Sequence, residues 1–231
     1  MKSRFFLLAA TMLISLKSYS YDDMHFIVPV FPPYTQLDSD GLPSGIGTDA
    51  VKQVLNSMGV RYTITISSNH GRALQEVRKQ HSDGFFMASQ NWERDAYAEF
   101  SEPLMFNRWV WVVLQENIDN FIPNNPKFKN NATVASLVNT NTHRWLKVSG
   151  YPSIYAATSV DELKEKLDSG TVAAILIAEM TFLDTVNEVI DYGIVLEQEK
   201  EFGIYISKHF LSKNPGFMPK LNDAIRLYRG Q

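Results

Sequence analysis

The 231-residue sequence contains no cysteine. That absence excludes a disulfide scaffold, a thiolate zinc site, an iron–sulfur cluster and a cysteine nucleophile, and it leaves no thiol for lipidation of a bacterial amino terminus. Positive charge is also scarce, with 22 Lys and Arg against 25 Asp and Glu and a formal net charge of −3. A nucleic-acid binder that works by neutralising phosphates needs a basic stripe; none is present, so nucleic acid is not an expected partner. The five histidines, at 25, 70, 81, 143 and 209, show neither H-x-H nor H-E-x-x-H spacing, and no G-x-S-x-G or S-x-x-K nucleophile motif occurs. No metal, cofactor or catalytic residue is therefore expected.

A long hydrophobic run is missing as well. The apolar stretch from Phe5 to Leu16 has twelve residues, and a membrane span needs about twenty. MKSR before it and KSYSYDD after it give the charged, apolar, polar order of a secretory signal, with Ser18 and Ser20 as the small residues before cleavage. Residues 1–20 read as a signal peptide cleaved near Ser20. Lys2, Arg4 and Lys17 would leave with it, taking the formal charge from −3 to −6. The mature chain is expected to be exported and soluble outside the inner membrane.

What is present is a sequence that can build a core, 45% hydrophobic and 12% aromatic, in which strand and helix patterns alternate. HFIVPVF reads as a strand ended by Pro32 and Pro33. Thr48 or Asp49 is placed to cap a helix with Ala50, Val51, Val54, Leu55 and Met58 on its apolar face, closed by Gly59. RYTITI, FFMAS and RWVWVVL read as strands, and Arg72 to Gln80 as a helix. A second series follows: ATVASLV, a helix from about Thr142, SIYAAT, a helix VDELKEKL behind a Ser159/Glu162 capping box, TVAAILI, and a helix from Glu179 towards Val189. GIYIS is a last strand, and Pro219 opens a helix with Leu221, Ala224, Ile225 and Tyr228 on one face. Two strand-and-helix series predict an α/β chain of two lobes.

Most motifs have bland readings. Gly45, Gly47 and Ala50 satisfy G-x-G-x-x-A, but a loop precedes them and no acid answers about twenty residues later, so a glycine turn feeding a helix is the better account. DELKEKLD is a solvated helix face with mixed i,i+4 pairs. The segment DGFFMASQNWER is different, because a strand delivers Ser89 and a short turn then delivers Arg94. A guanidinium fork beside a hydroxyl is a carboxylate cradle, although, taken alone, a surface arginine on a short helix is more often an ordinary salt-bridge partner.

The order of FPPYT, SGIGTDAVKQVLNSMG, GRALQEVRKQHSDGFFMASQNWERDAYAEFSEPL, WVWVVL and SVDELKEKLDSGTVAAILIAE resembles the bacterial extracellular solute-binding proteins of family 3. The resemblance implies an α/β, two-lobed periplasmic-binding-protein-like fold: two mixed or parallel sheets flanked by helices, with a ligand cleft between lobes. Lobe one would comprise residues 21–114 plus 202–231 and lobe two residues 115–201. It implies a monomeric periplasmic receptor for a small polar, carboxylate-bearing solute, an amino acid or a relative, serving an ABC permease or a membrane sensor. Position by position, Arg94 matches the arginine that clamps the carboxylate, with Ser89 beside it. Phe31 falls at an aromatic wall and His70 where relatives place a second aromatic. Asn139, Thr140 and Asn141 occupy the G-[ST]-[ST] turn that completes the carboxylate pocket; asparagine replaces glycine there and tolerates a left-handed backbone.

One departure is larger. Ala178 stands where relatives that bind α-amino acids have an aspartate for the ammonium group, and Glu179 comes one place later. Either Glu179 turns in through a register change, or the ligand is not a standard α-amino acid. Two further readings stay open: a dehydratase-like enzyme on the same scaffold drawing on Glu179, His70 or Glu93, and an interaction module without a ligand.

Overall fold

The computed structural model describes residues 23–186 and 189–230, so the segment read as a signal peptide lies outside the described residues. The chain opens with strand β1 (Met24–Pro29), a small hairpin of β2 (Gln36–Leu37) and β3 (Pro43–Ser44), and helix α1 (Ile46–Ser57). Next come β4 (Tyr62–Ser67), α2 (His70–Arg78), β5 (Gly84–Ala88), the single turn α3 (Trp92–Asp95), β6 (Ala98–Phe100) and the long strand β7 (Met105–Leu114). The second series is α4 (Pro126–Asn131), β8 (Thr133–Leu137), α5 (Asn141–Val148), β9 (Ser153–Ala157), α6 (Val160–Asp168), β10 (Ala174–Ala178) and α7 (Glu179–Thr185). Strand β11 (Tyr192–Ser207) then returns to the first half, and α8 (Lys208–Lys213) and α9 (Phe217–Tyr228) end the fold.

One sheet path runs β4-β1-β5-β11-β7-β10-β8-β9, with β6 also paired to β11. β1, β4 and β5 are mutually parallel where they pair, as are β10, β8 and β9. The two parallel groups are joined through antiparallel contacts of β11 with β5 and β7, and of β7 with β10. Only long strands can make such a join, and β7 has 10 residues and β11 has 16. In the second half, β7 alternates with the period-two geometry of a strand. Val110 and Val112 pack on one face with Leu163, Leu167 and Phe182, while Trp109, Trp111 and Val113 pack on the other with Leu146 and Tyr151. Residues 109–113, which the sequence reading assigns to lobe one, thus contribute to the second half's cores.

Several local expectations are met. Ala50, Val51, Val54 and Leu55 are buried along α1, and Gly59 follows it at φ 67°. Ser159 Oγ accepts from the Glu162 amide at 3.2 Å. Others are corrected. Helix α1 starts after Gly45 rather than at Thr48 or Asp49, because Gly45 (φ 112°) lies where any Cβ would sit 2.6 Å from the carbonyl oxygens of Pro33 and Tyr34. The glycine pair therefore serves close packing onto the 33–34 turn. The Ser159/Glu162 box is half a box, since the Glu162 carboxylate takes the Thr158 amide and hydroxyl and the Tyr155 hydroxyl instead. Helix α9 begins at Phe217 behind Gly216 (φ 83°), and Tyr228 is exposed rather than on the buried face.

Candidate functional site

The carboxyl ends of β1, β5, β8 and β10 converge on one cavity of about 40 Å³ where the two halves of the sheet meet. From the first half, the turn after β1 brings Phe31. Its ring lies 5.4 Å from Tyr34, edge-on to His70 at 5.0 Å and 6.3 Å from Phe202. His70 is the first residue of α2, which Asn69 caps by accepting from the Arg72 amide. Strand β5 ends in Met87, a non-glycine residue at φ 55°, and Ala88, with Ser89 just beyond it. A left-handed methionine in a cavity wall is costly backbone of the kind concentrated at functional sites.

Arg94 owes its position to α3. Asn91 caps this turn by accepting from the Arg94 amide at 3.0 Å, and Tyr205 pins both ends of it, with its hydroxyl accepting from the Asn91 amide (2.9 Å) and bonding Asp95 (2.9 Å). The Arg94 side chain turns inward, only 6% exposed. Its Nη1 donates to the Ser89 carbonyl at 2.8 Å and its guanidinium lies 5.7 Å from the Phe85 ring. No salt bridge to Arg94 occurs among the described residues, and its Nε has no hydrogen-bond partner. Ser89 Oγ beside it is also buried without a partner. Burial pushes the Arg94 pKa down, with Tyr205, Tyr97 and Glu93 opposing. Burial and then the Arg94 charge push the His70 pKa down to about 3, so the imidazole is neutral. Burial, with Glu179 second, raises Tyr34 to about 12.

The second half supplies the facing wall. After β8, Asn139 adopts φ 61°, the left-handed turn that asparagine was expected to tolerate. Thr140 caps α5 by accepting from the His143 amide, and its hydroxyl donates to the Leu137 carbonyl at 2.6 Å. Asn141 reaches across: its Nδ2 donates to the Ser89 carbonyl at 3.0 Å, and its Oδ1 accepts from Asn91 Nδ2 at 2.7 Å. Outside this contact, Arg144 pairs with Glu93 at 3.3 Å and covers the Trp92 ring at 5.1 Å. The halves are thus in contact around the cavity.

Of the residues singled out from sequence, Phe31, His70, Ser89, Arg94, Thr140 and Asn141 line this one cavity. Asn139 does not; its side chain is exposed and faces the outer groove near Gly71. Glu179 does not either, because Arg108 Nη1 donates to both of its carboxylate oxygens, at 3.0 and 2.8 Å. No register change turns it inward: Ala178 pairs with Trp109 in an unbroken β10–β7 ladder. Sequence reasoning missed Asn107, Trp109, Met87, Ile177 and Phe202, which also line the cavity. The one available signal was Asn107, a polar residue interrupting the apolar run of β7; it is 2% exposed and accepts from the Tyr34 hydroxyl. Among the described residues, no group of three or more His, Asp or Glu is placed to hold a metal ion, and no helix is long and apolar enough to cross a membrane.

A model of the bacterial extracellular solute-binding proteins, family 3, matches residues 26–229. Among solved structures, holo ArgBP from T. maritima superposes with a TM-score of 0.71 at 19% identity, covering 89% of this chain and 91% of that one. The GluR0 ligand-binding core from Nostoc punctiforme, in complex with L-glutamate, gives 0.72 at 16% identity, over 90% and 93%. The arginine-, lysine-, histidine-binding protein ArtJ from Geobacillus stearothermophilus gives 0.71 at 15% identity, over 89% and 90%. At these identities the likeness shows the fold, a two-lobed α/β periplasmic-binding architecture. A search of curated protein sequences gives no match.

Proposed function

The chain belongs to the bacterial extracellular solute-binding proteins, family 3, and from that premise we propose that it is a periplasmic receptor which captures a small carboxylate-bearing solute between its lobes without converting it. Arg94 carries the reading. A guanidinium buried without a counter-ion is a large uncompensated cost, and here it stands with a partnerless Nε and a partnerless Ser89 hydroxyl at the same cavity. A carboxylate supplies the missing charge and acceptors, and the planar guanidinium edge matches its two oxygens. Phe31, Trp109 and Phe202 provide walls for the rest of the solute.

The lobes we infer part within the crossing strands β7 and β11: residues 23–108 with 202–230, and 109–186 with 189–201, because Trp109 to Val113 pack into the second half's cores. Asn141, bonded to both Ser89 and Asn91, is the contact that a hinge opening would break to admit solute. Among the described residues around the cavity no acid/base pair is assembled: Glu179 is held by Arg108, Glu93 by Arg144, and His70 is neutral beside a cation. Relatives of this fold bind arginine, lysine and histidine, or L-glutamate, which supports a small carboxylate solute for this chain too, delivered to an ABC permease or reported to a membrane sensor. Native mass spectrometry of the purified protein, followed by thermal-shift screening of small carboxylates, tests the reading. A bound or stabilising carboxylate is expected; a screen in which none raises the melting temperature would overturn it.

A further inference from the structure

Resting on that reading, we propose that the solute carries a carboxylate and no ammonium group: a compact monocarboxylate with a short aliphatic body. Among the described residues lining the cavity, Arg94 is the single ion. One carboxylate balances it. A zwitterionic amino acid would bring a second cation into a buried space that has no acid to receive it, and an unpaired buried charge is strongly disfavoured.

The acids near the cavity are all committed elsewhere. Glu179 follows the lining residue Ala178 directly, yet both its oxygens are taken by Arg108. Glu93 pairs with Arg144 across the halves, and Asp95 accepts from Tyr205 and Gln90. Neutral acceptors are few. The Ser89 carbonyl already receives both Arg94 and Asn141, and Asn141 Oδ1 and Asn107 Oδ1, which receive Asn91 and Tyr34, each keep one lone pair. An ammonium needs up to three acceptors. The one lining hydroxyl without a partner, Ser89 Oγ, sits at the Arg94 end, where a carboxylate would take its proton donor.

Much of the remaining lining is apolar, with Met87, Trp109, Leu137, Ile177 and Ala178 beside the polar Asn107, Thr140, Asn141 and Thr142. The cavity of about 40 Å³ has room for roughly three waters on the space that one water requires, which suits a short carboxylic acid in this closed arrangement.

The test uses matched pairs that differ only in the amine: acetate against glycine, propionate against alanine, and butyrate against 2-aminobutyrate. Each is titrated calorimetrically into the exhaustively dialysed wild-type protein and into Arg94→Ala. In at least one pair the acid without the amine should bind the wild type tenfold or more tightly than its amino partner, and Arg94→Ala should abolish that binding. An amino acid that binds as tightly as its partner, and depends on Arg94, would sink the inference while leaving the carboxylate reading in place. If no member of any pair binds, both fall together.

Discussion

Arg108 donates through one nitrogen to both carboxylate oxygens of Glu179, at 3.0 and 2.8 Å, and thereby holds the acid outside the cavity that its neighbour Ala178 lines. Only one end of the pair is open: the Arg108 side chain is 47% exposed and that of Glu179 16%, and a pair with one partner in solvent contributes about 1 kcal/mol. Glu179→Gln is therefore expected to lower stability by no more than about 1 kcal/mol in urea titration and to leave solute affinity within about threefold, a shift below the ~1.4 kcal/mol of a tenfold change. A tenfold or larger loss of affinity, measured by calorimetry, would return Glu179 to the site.

Arg94 should behave in the opposite way. Removing a buried, hydrogen-bonded charge partner costs about 2–5 kcal/mol of binding, and Arg94→Met is expected to lose a carboxylate solute by that amount. The solute-free protein should not suffer equally. Replacing an uncompensated buried ion by an apolar side chain of similar reach is often neutral or stabilising, against which stands the loss of one bond to the Ser89 carbonyl. Denaturant midpoints of the solute-free proteins should thus agree within about 1 kcal/mol. If Arg94→Met unfolded the protein by several kcal/mol, the arginine would be a structural group and the cavity would lose its principal claim.

Asn141 joins the halves through two hydrogen bonds that close the cavity. At about 1 kcal/mol for each of the two neutral bonds, Asn141→Ala should weaken solute binding by up to about thirtyfold, chiefly through faster release. The free protein should also shift towards a more open form, visible as a larger radius of gyration in small-angle scattering. Unchanged binding together with unchanged scattering would show that the contact contributes nothing to closure.

How far the sequence reveals this arrangement depends on how local each feature is. The buried face of α1, the all-buried run Ala174–Ala178 and the Ser159 cap need only neighbours in the chain, and each was legible. So was the Ser89–Arg94 unit, because a strand end and a capped turn fix it within six residues. Strand β11 was read only at its GIYIS end. Its middle, Glu197–Glu201, looks like a polar loop because this stretch crosses between cores with Glu199 and Glu201 exposed. Trp109 and Phe202 enter the cavity through the pairing of β7 with β11, including the register shift between Leu196 and Gln198. No local pattern encodes that register. Gly45 as the start of α1 escaped for a similar reason, since its cause is the approach of the Pro33 and Tyr34 carbonyls from another turn.

His70 offers a test in pH. Burial foremost, and then the positive charge of Arg94, hold its folded pKa down to about 3 against an ordinary value of 6.5. Above pH 6.5 the ring is neutral in both folded and unfolded chains and contributes no pH dependence. Between pH 6.5 and about 3 the unfolded chain takes up a proton that the folded one refuses, so stability falls as pH falls, by at most about 1.4 kcal/mol per pH unit for one proton. Part of the imidazole still reaches solvent, which tempers the effect; a loss of about 1 kcal/mol between pH 6.5 and 5 is expected on this account. His70→Phe keeps an aromatic ring against Phe31 and removes the titration. Urea midpoints of the two proteins should converge as pH is lowered through this window, with the wild type losing more. Parallel curves for the two would mean that His70 titrates alike in the folded and unfolded chains, and that neither burial nor Arg94 governs its charge.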